Sequence, residues 1–218
     1  MSQKNAVLKQ IRNITSKLTF YSLSDAFNFP CEKDGNIGIS GKPDLSISLK
    51  NISYIDTYHS LNRSKSYNLK MIDGALIQMT YSFERDNLIK HRLAFFPSPE
   101  LSEFQNNYEI YEMDEVYADI IDKNIVTVPI RFDYDPANFE VKEHPMSHLT
   151  IGQYKNCRIP VNAPLSPNMF MDFILRNFYN TAHKKYADDL DFDKKSIFDE
   201  CIDDLECGLL HLFIRNET

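Results

Sequence analysis

The stretch Tyr67–Pro97, YNLKMIDGALIQMTYSFERDNLIKHRLAFFP, decides the fold. Between Ala75 and Glu84, Ile77, Met79, Tyr81 and Phe83 take alternate positions, and Gln78, Thr80 and Ser82 fill the gaps. A period of two puts these sets on opposite faces of a strand. Asp73-Gly74 has hairpin-turn chemistry, which makes Tyr67–Ile72 the expected partner strand. Arg85-Asp86-Asn87 reads as a second tight turn. Leu88–Phe96 then returns, and Pro97 and Pro99 stop it.

Upstream, Val7, Ile11, Ile14 and Leu18 recur at spacings of four, three and four, which predicts an N-terminal helix within residues 1–20. Asp44–Leu49 alternates as a strand. Downstream, Pro99–Asp122 is acidic and is expected to hold short helices. Ile125–Phe132 alternates through Val126, Val128 and Ile130, with Pro129 marking an edge or a bulge. Ser147–Tyr154 is another strand. Ser166-Pro167 opens a helix through Phe170, Phe173, Ile174 and Phe178, with the hydroxyl as N-cap. A last helix is expected after Asp193. It would bury Phe198, Ile202, Leu205, Leu209 and Leu212 and expose Asp199, Asp203 and Glu206. The fold class that follows is α+β: a central antiparallel sheet of about five or six strands, an N-terminal helix and two C-terminal helices. Residues 1–218 form one domain, with the sheet core at 44–160 and a C-terminal helical layer at 166–214.

The 218 residues are 43% hydrophobic and carry a net charge of −7, with a pI near 5.4. A chain of this size buries a core without staples. The acidic balance argues against a dedicated nonspecific nucleic-acid binder, yet leaves room for a local basic face. No leader-like or membrane-spanning apolar run is present, so a cytoplasmic protein without membrane contact is expected. Cys31, Cys157, Cys201 and Cys207 form no C-x-x-C pair and read as buried or idle thiols.

If the strands are neighbours, Ile77, Met79, Tyr81, Phe83, Leu149 and Ile151 face the core. The other face then carries Gln78, Thr80, Ser82, Lys90, Arg92, Arg131, Asp133, His148 and Thr150. A solvated face is the plain reading, and a substrate groove is the sharper one. Chemically capable residues crowd between Arg131 and Pro160: Arg131, Asp133, Asp135, His144, His148, Thr150 and Arg158. His148 is the candidate acid–base residue, oriented by Asp133 or His144, and Arg158 and Arg92 are candidates to meet phosphate. Arg131, Gln78 and Thr150 complete the candidate binding set. On this parity His148 is solvent-facing and contributes little to folding.

Other motifs fall away. His148-Leu149-Thr150 has the H-x-T form of two-histidine phosphoesterases, but no second copy exists. His144 and His148 have metal-like spacing, but Pro145 breaks the helix such a pair needs. Asp189, Asp191, Asp193 and Glu200 match a calcium loop that has Lys194 where Gly is required, and an acidic helix start explains them. No P-loop, dinucleotide fingerprint or nucleophile elbow is present. No metal and no cofactor are expected.

Four blocks carry a resemblance: Ile72-Asp73-Gly74-Ala75-Leu76-Ile77-Gln78; His91-Arg92-Leu93-Ala94-Phe95-Phe96-Pro97-Ser98-Pro99; Arg131-Phe132-Asp133-Tyr134-Asp135; and His144-Pro145 through Arg158-Ile159-Pro160. In this order they resemble the bacterial family catalogued as domain of unknown function 2290, over roughly Leu45 to Tyr179. The resemblance implies a component of a bacterial defence or conflict system whose gene lies beside that of a large ATPase. It brings no assigned catalytic residues. Two functions are therefore carried forward. One is a subunit acting on nucleic acid at the polar sheet face. The other is a non-catalytic adaptor docking onto the ATPase partner through acidic surface at Pro99–Asp122 and Asp188–Asp204.

Overall fold

The computed structural model describes residues 2–39, 52–99, 126–190, 192 and 195–214. The strand expected at Asp44–Leu49, the short helices expected after Pro99, and Asp191 and Asp193 of the acidic loop lie outside these residues.

Helix α1 (Gln3–Phe20) starts at Ser2, whose hydroxyl accepts the Asn5 N–H. Its buried stripe is Val7, Ile11, Ile14 and Leu18, as the spacing predicts. The remaining elements are β1 (Ser24–Phe27), β2 (Pro30–Lys33), β3 (Asn36–Ile39), α2 (Tyr54–Arg63), β4 (Leu69–Met71), β5 (Leu76–Glu84), β6 (Asn87–Phe96), β7 (Ile130–Tyr134), β8 (Ser147–Ile151), β9 (Ile159–Pro160), α3 (Pro167–Phe178) and α4 (Asn180–Lys185). One antiparallel sheet runs β1-β4-β5-β6-β7-β8-β9, and the β2–β3 hairpin joins β5 through β3. The α+β class holds, with an N-terminal helix and C-terminal helices, of which α3 is the one expected from Ser166 and α4 is not the one expected after Asp193. The described strands number nine, more than expected, because β1–β3 and β9 are too short to show a clear alternation.

Both turns of the opening stretch form. Gly74, at φ +89°, closes the β4–β5 turn, donating to the Met71 carbonyl. A non-glycine residue there would be strained. At the β5–β6 turn, Asp86 accepts the N–H groups of Gln3 and Lys4 at 3.1 Å each, so the hairpin tip satisfies two donors at the start of α1.

Alternation gives the sheet two different faces. Ile77, Met79, Tyr81, Phe83, Leu93, Phe95, Phe132 and Leu149 pack against α1 and against Phe170, Met171, Ile174 and Leu175 of α3. The Ser166 hydroxyl caps α3 by accepting from Met169. On the other face Leu76, Ala94 and Phe96 form a second core with Tyr58 and Leu61 of α2 and with Tyr67. Ile151 departs from expectation: it ends β8 and is exposed. The strand expected from Ile125 begins only at Ile130, and Val126 and Val128 are exposed.

The helix expected after Asp193 is replaced by turns. Phe198 is buried as expected, but Leu205, Leu209 and Leu212 are exposed, and Glu206 is only 1% exposed, accepting the Lys142 N–H. The α3 side chains already occupy the sheet face that such a helix would need. The sheet edge, in contrast, still has unpaired backbone groups beyond β9. The C-terminal segment satisfies them: Leu212 donates to Pro160 and accepts from Asn162, in parallel with Val161. At Asp203 the carboxylate accepts the Leu205 N–H, a local bond that competes with helix. The four cysteines are unpaired; none is buried, and Cys207 is exposed.

Candidate functional site

Three adjacent strands build the floor. Cross-strand pairing sets Arg92 beside Asp133 and Asp133 beside His148, while Ala94, Arg131 and Thr150 form the next row. Between these rows the Leu93–Phe132–Leu149 row points the other way, into the main core. The same parity that buries the apolar row therefore aims the charged rows at one place.

Two loops raise the walls. The segment between β7 and β8 supplies Asp135, Asn138 and His144, and the segment between β8 and β9 supplies Tyr154, Lys155, Cys157 and Arg158. With Lys90, Arg92, Arg131, Asp133, His148 and Thr150 they enclose a cavity of about 310 Å³. His144, Arg158 and Asn138 also line an adjoining recess of about 360 Å³ with Glu140 and Glu143.

The cavity is cationic in an acidic chain. Lys90, Arg92, Arg131, Lys155 and Arg158 face two carboxylates, and both carboxylates are engaged. Asp133 accepts from Arg92 Nε at 2.8 Å and lies 3.7 Å from Arg131 Nε. Burial pushes its carboxyl up, but the two guanidinium groups outweigh burial and hold it below the ordinary range. Burial also pulls Arg131 down, and its Nε has no hydrogen-bond partner among the described residues. At the rim Asp135 accepts from Lys90 at 2.7 Å and from Asn138 at 3.0 Å.

His148 is 4% exposed, not solvent-facing as parity alone predicted, because the loop walls rise around it. Its Nδ1 lies 2.9 Å from the Pro145 carbonyl. A carbonyl only accepts, so Nδ1 holds the proton and Nε2 keeps its lone pair. Pro145 therefore orients this ring, rather than Asp133, whose oxygens are turned to the arginines. Burial lowers the His148 pKa below the ordinary imidazole value; the Pro145 bond and Asp133 oppose this, and His144 and Arg158 add to it. The His144 ring stands edge-on to His148 at 4.9 Å, and its buried Nδ1 has no hydrogen-bond partner among the described residues. Arg158 reaches the Glu143 carbonyl at 3.2 Å.

Seven of the eight sequence candidates thus come together: His148, His144, Asp133, Arg158, Arg92, Arg131 and Thr150. Gln78 does not join them. It is buried on the α2 side and donates to the Ser66 carbonyl. Asn138, Tyr154, Lys155 and Cys157 were missed. The signal that could have found the last two is the short run Lys155-Asn156-Cys157-Arg158, which adds a second cation next to a residue already singled out. Among the described residues no group of three His, Cys, Asp or Glu side chains is placed to hold a metal ion.

The family described as an uncharacterized conserved protein (DUF2290) matches residues 23–214. No curated protein and no solved structure matches the chain.

Proposed function

The chain belongs to the DUF2290 family, and from its cavity we propose that it binds and acts on the phosphate backbone of nucleic acid, as a subunit of a bacterial defence system. One observation carries this reading: five cationic side chains gather around a buried imidazole whose Nε2 is available as a base. Arginine forks match phosphate oxygens, and a walled site makes each contact stronger than in open water. Asp133 keeps Arg92 and Arg131 in place, so the guanidinium groups need little reordering when an anion arrives. The defence setting comes from the family resemblance alone.

The test is binding of a fluorescent single-stranded oligonucleotide at several salt concentrations. Affinity should fall with salt, and Arg158→Gln and Arg131→Gln should each weaken it by roughly tenfold or more. Wild-type protein that binds no strand, or variants that bind equally well, would overturn the reading.

The adaptor reading has its own observation. Leu205, Leu209, Leu210, Leu212 and Phe213 are each exposed within one short stretch of sequence that follows Asp203 and Asp204. This stretch fits a protein partner with an apolar patch and a basic rim, such as a neighbouring ATPase. Leu210→Asp should abolish co-purification with that ATPase while leaving oligonucleotide binding intact.

A further inference from the structure

We propose that the bond broken in the cavity is the phosphodiester of single-stranded RNA, cut by its own ribose 2′-hydroxyl after His148 Nε2 removes the proton. This rests on the phosphate-binding reading above and adds the nucleophile and the substrate class.

The lining decides what the cavity can activate. A divalent cation would meet five positive side chains, and the carboxylates that might hold it, Asp133 and Asp135, already serve Arg92, Arg131 and Lys90. The donor set is wrong for making metal hydroxide. What it offers is a neutral imidazole with Nδ1 fixed on Pro145 and Nε2 open. Burial weakens that base. A weak base serves poorly against free water, which must also be captured and aimed. An alcohol carried by the substrate next to the phosphorus avoids that cost, since intramolecular attack is worth effective molarities of roughly 10⁵–10⁸ M. In a nucleic acid that alcohol is the 2′-hydroxyl, and only RNA has it.

The rest of the lining fits the charge that develops. As O2′ bonds to phosphorus, negative charge grows on the non-bridging oxygens, where Arg131, Arg158 and Lys155 can meet it. The proton passes from O2′ to His148 Nε2, the O2′–P bond forms, and the P–O5′ bond breaks. The leaving O5′ takes a proton from solvent water, and the hydroxide so formed recovers the proton from His148. The products are a 2′,3′-cyclic phosphate and a 5′-hydroxyl, with no oxidant, reductant or co-substrate consumed. Attack in line with the leaving oxygen requires a sugar that can turn, which favours single strands over a stacked duplex.

The experiment incubates the full chain, with chelator present, with a mixed-sequence RNA oligonucleotide, its DNA equivalent, and an RNA carrying one 2′-deoxy residue. Binding is measured on the same samples and product ends are read by mass spectrometry. The expected result is cleavage of RNA, none of DNA, protection at the deoxy position, and 2′,3′-cyclic ends. His148→Asn keeps a side-chain N–H for Pro145 and removes Nε2. It should bind RNA and melt like wild type while cutting roughly a hundredfold more slowly or worse. Bound RNA that stays whole, DNA cut equally well, or 3′-hydroxyl products would overturn this inference while leaving the phosphate-binding reading standing. Absence of any binding would remove both. Should His148→Asn lower the melting temperature, His148→Gln gives a second reading, and unimpaired cleavage by either folded variant counts against the proposal.

Discussion

Strand β6 presents Lys90, Arg92, Ala94 and Phe96 in turn to one face of the sheet, and the two halves of that row meet different fates. Ala94 and Phe96 disappear under α2 with Leu76, Tyr58 and Leu61. Lys90 and Arg92 look into a cavity walled by loops. The border falls between Arg92 and Ala94 on β6, with Gln78 on the closed side and Arg131 on the open side. Backbone geometry is the same on both sides, so the cover makes the difference. A helix gives an apolar surface that excludes water and closes the face. Loops rich in polar groups leave a hollow in which charges remain useful. The closed half holds the sheet together, and the open half is where ligand chemistry is affordable.

The largest expected effects test that division. Phe96→Ala empties part of the closed half and should cost about 3–5 kcal/mol. Asp133→Ala leaves Arg92 and Arg131 facing each other without their shared carboxylate, and should cost about the same. Either loss would appear as a fall of roughly 6–12 °C or more in Tm. The halves should differ in repair. Replacing Arg92, Asp133 and Arg131 together by Met, Leu and Met should recover most of the stability and abolish anion binding, since an apolar set substitutes well for a buried ion network. Thermal melts of the single and triple variants decide it. A triple variant no more stable than Asp133→Ala would mean that the charged floor is as essential to folding as the closed half.

How much of this was legible follows the same border. The alternation from Leu76 to Phe96 fixed the hairpin and the parity, and parity put Gln78, Arg92, Arg131, Asp133, His148 and Thr150 on one face, while His144 and Arg158 reach the cavity from loops. Parity could not tell which part of that face would be covered. Gln78 has the right parity and lies on the wrong side of the border, because α2 has no sequence feature that says where it docks. Burial of His148 and its Pro145 partner depends on loops whose path is set by long-range contacts. The C-terminal stripe from Phe198 to Leu212 has helical spacing, yet a sheet edge with unmet backbone groups took the segment instead.

A smaller effect comes from behind the charged half. His91 is buried on the core face, where its Nε2 accepts the Leu165 N–H at 3.2 Å. Burial lowers its pKa to about 4. A lowered histidine binds its proton more readily in the unfolded chain, so its stabilising share is complete above the unfolded value of about 6.5 and shrinks as pH falls below it. The loss continues until the folded value near 4 and amounts to about 3 kcal/mol. His148 is also lowered and adds in the same direction. The lowered carboxyl of Asp133 acts in a more acid window, losing its share only below about 3.9. Urea melts between pH 7 and 4 should therefore show a decline that His91→Gln flattens, since a glutamine oxygen can still accept from Leu165. A decline unchanged in His91→Gln would place the acid sensitivity on the ligand side of the sheet rather than behind it.

The smallest expected change in stability belongs to a residue that parity could not find. Lys155 stands on the β8–β9 loop wall, exposed, among the residues lining the cavity. Its ammonium needs no partner in the fold, so Lys155→Gln should leave Tm within the range of ordinary surface changes, about 0.5 kcal/mol. Its effect should appear only when a phosphate chain is bound. Each cation that meets a phosphate releases about one condensed counterion, so the slope of log affinity against log salt should fall by roughly one unit in the variant. The loss should be equal for RNA and DNA strands, because a lysine reads charge and not sugar. His148→Asn, in contrast, should leave the slope unchanged, since a neutral imidazole displaces no counterion. The pair therefore separates holding the backbone from acting on it. An unchanged slope in Lys155→Gln, with binding otherwise intact, would mean that the strand crosses the floor without touching the loop wall, and the open half would then be a groove along β6 and β7 rather than a walled pocket.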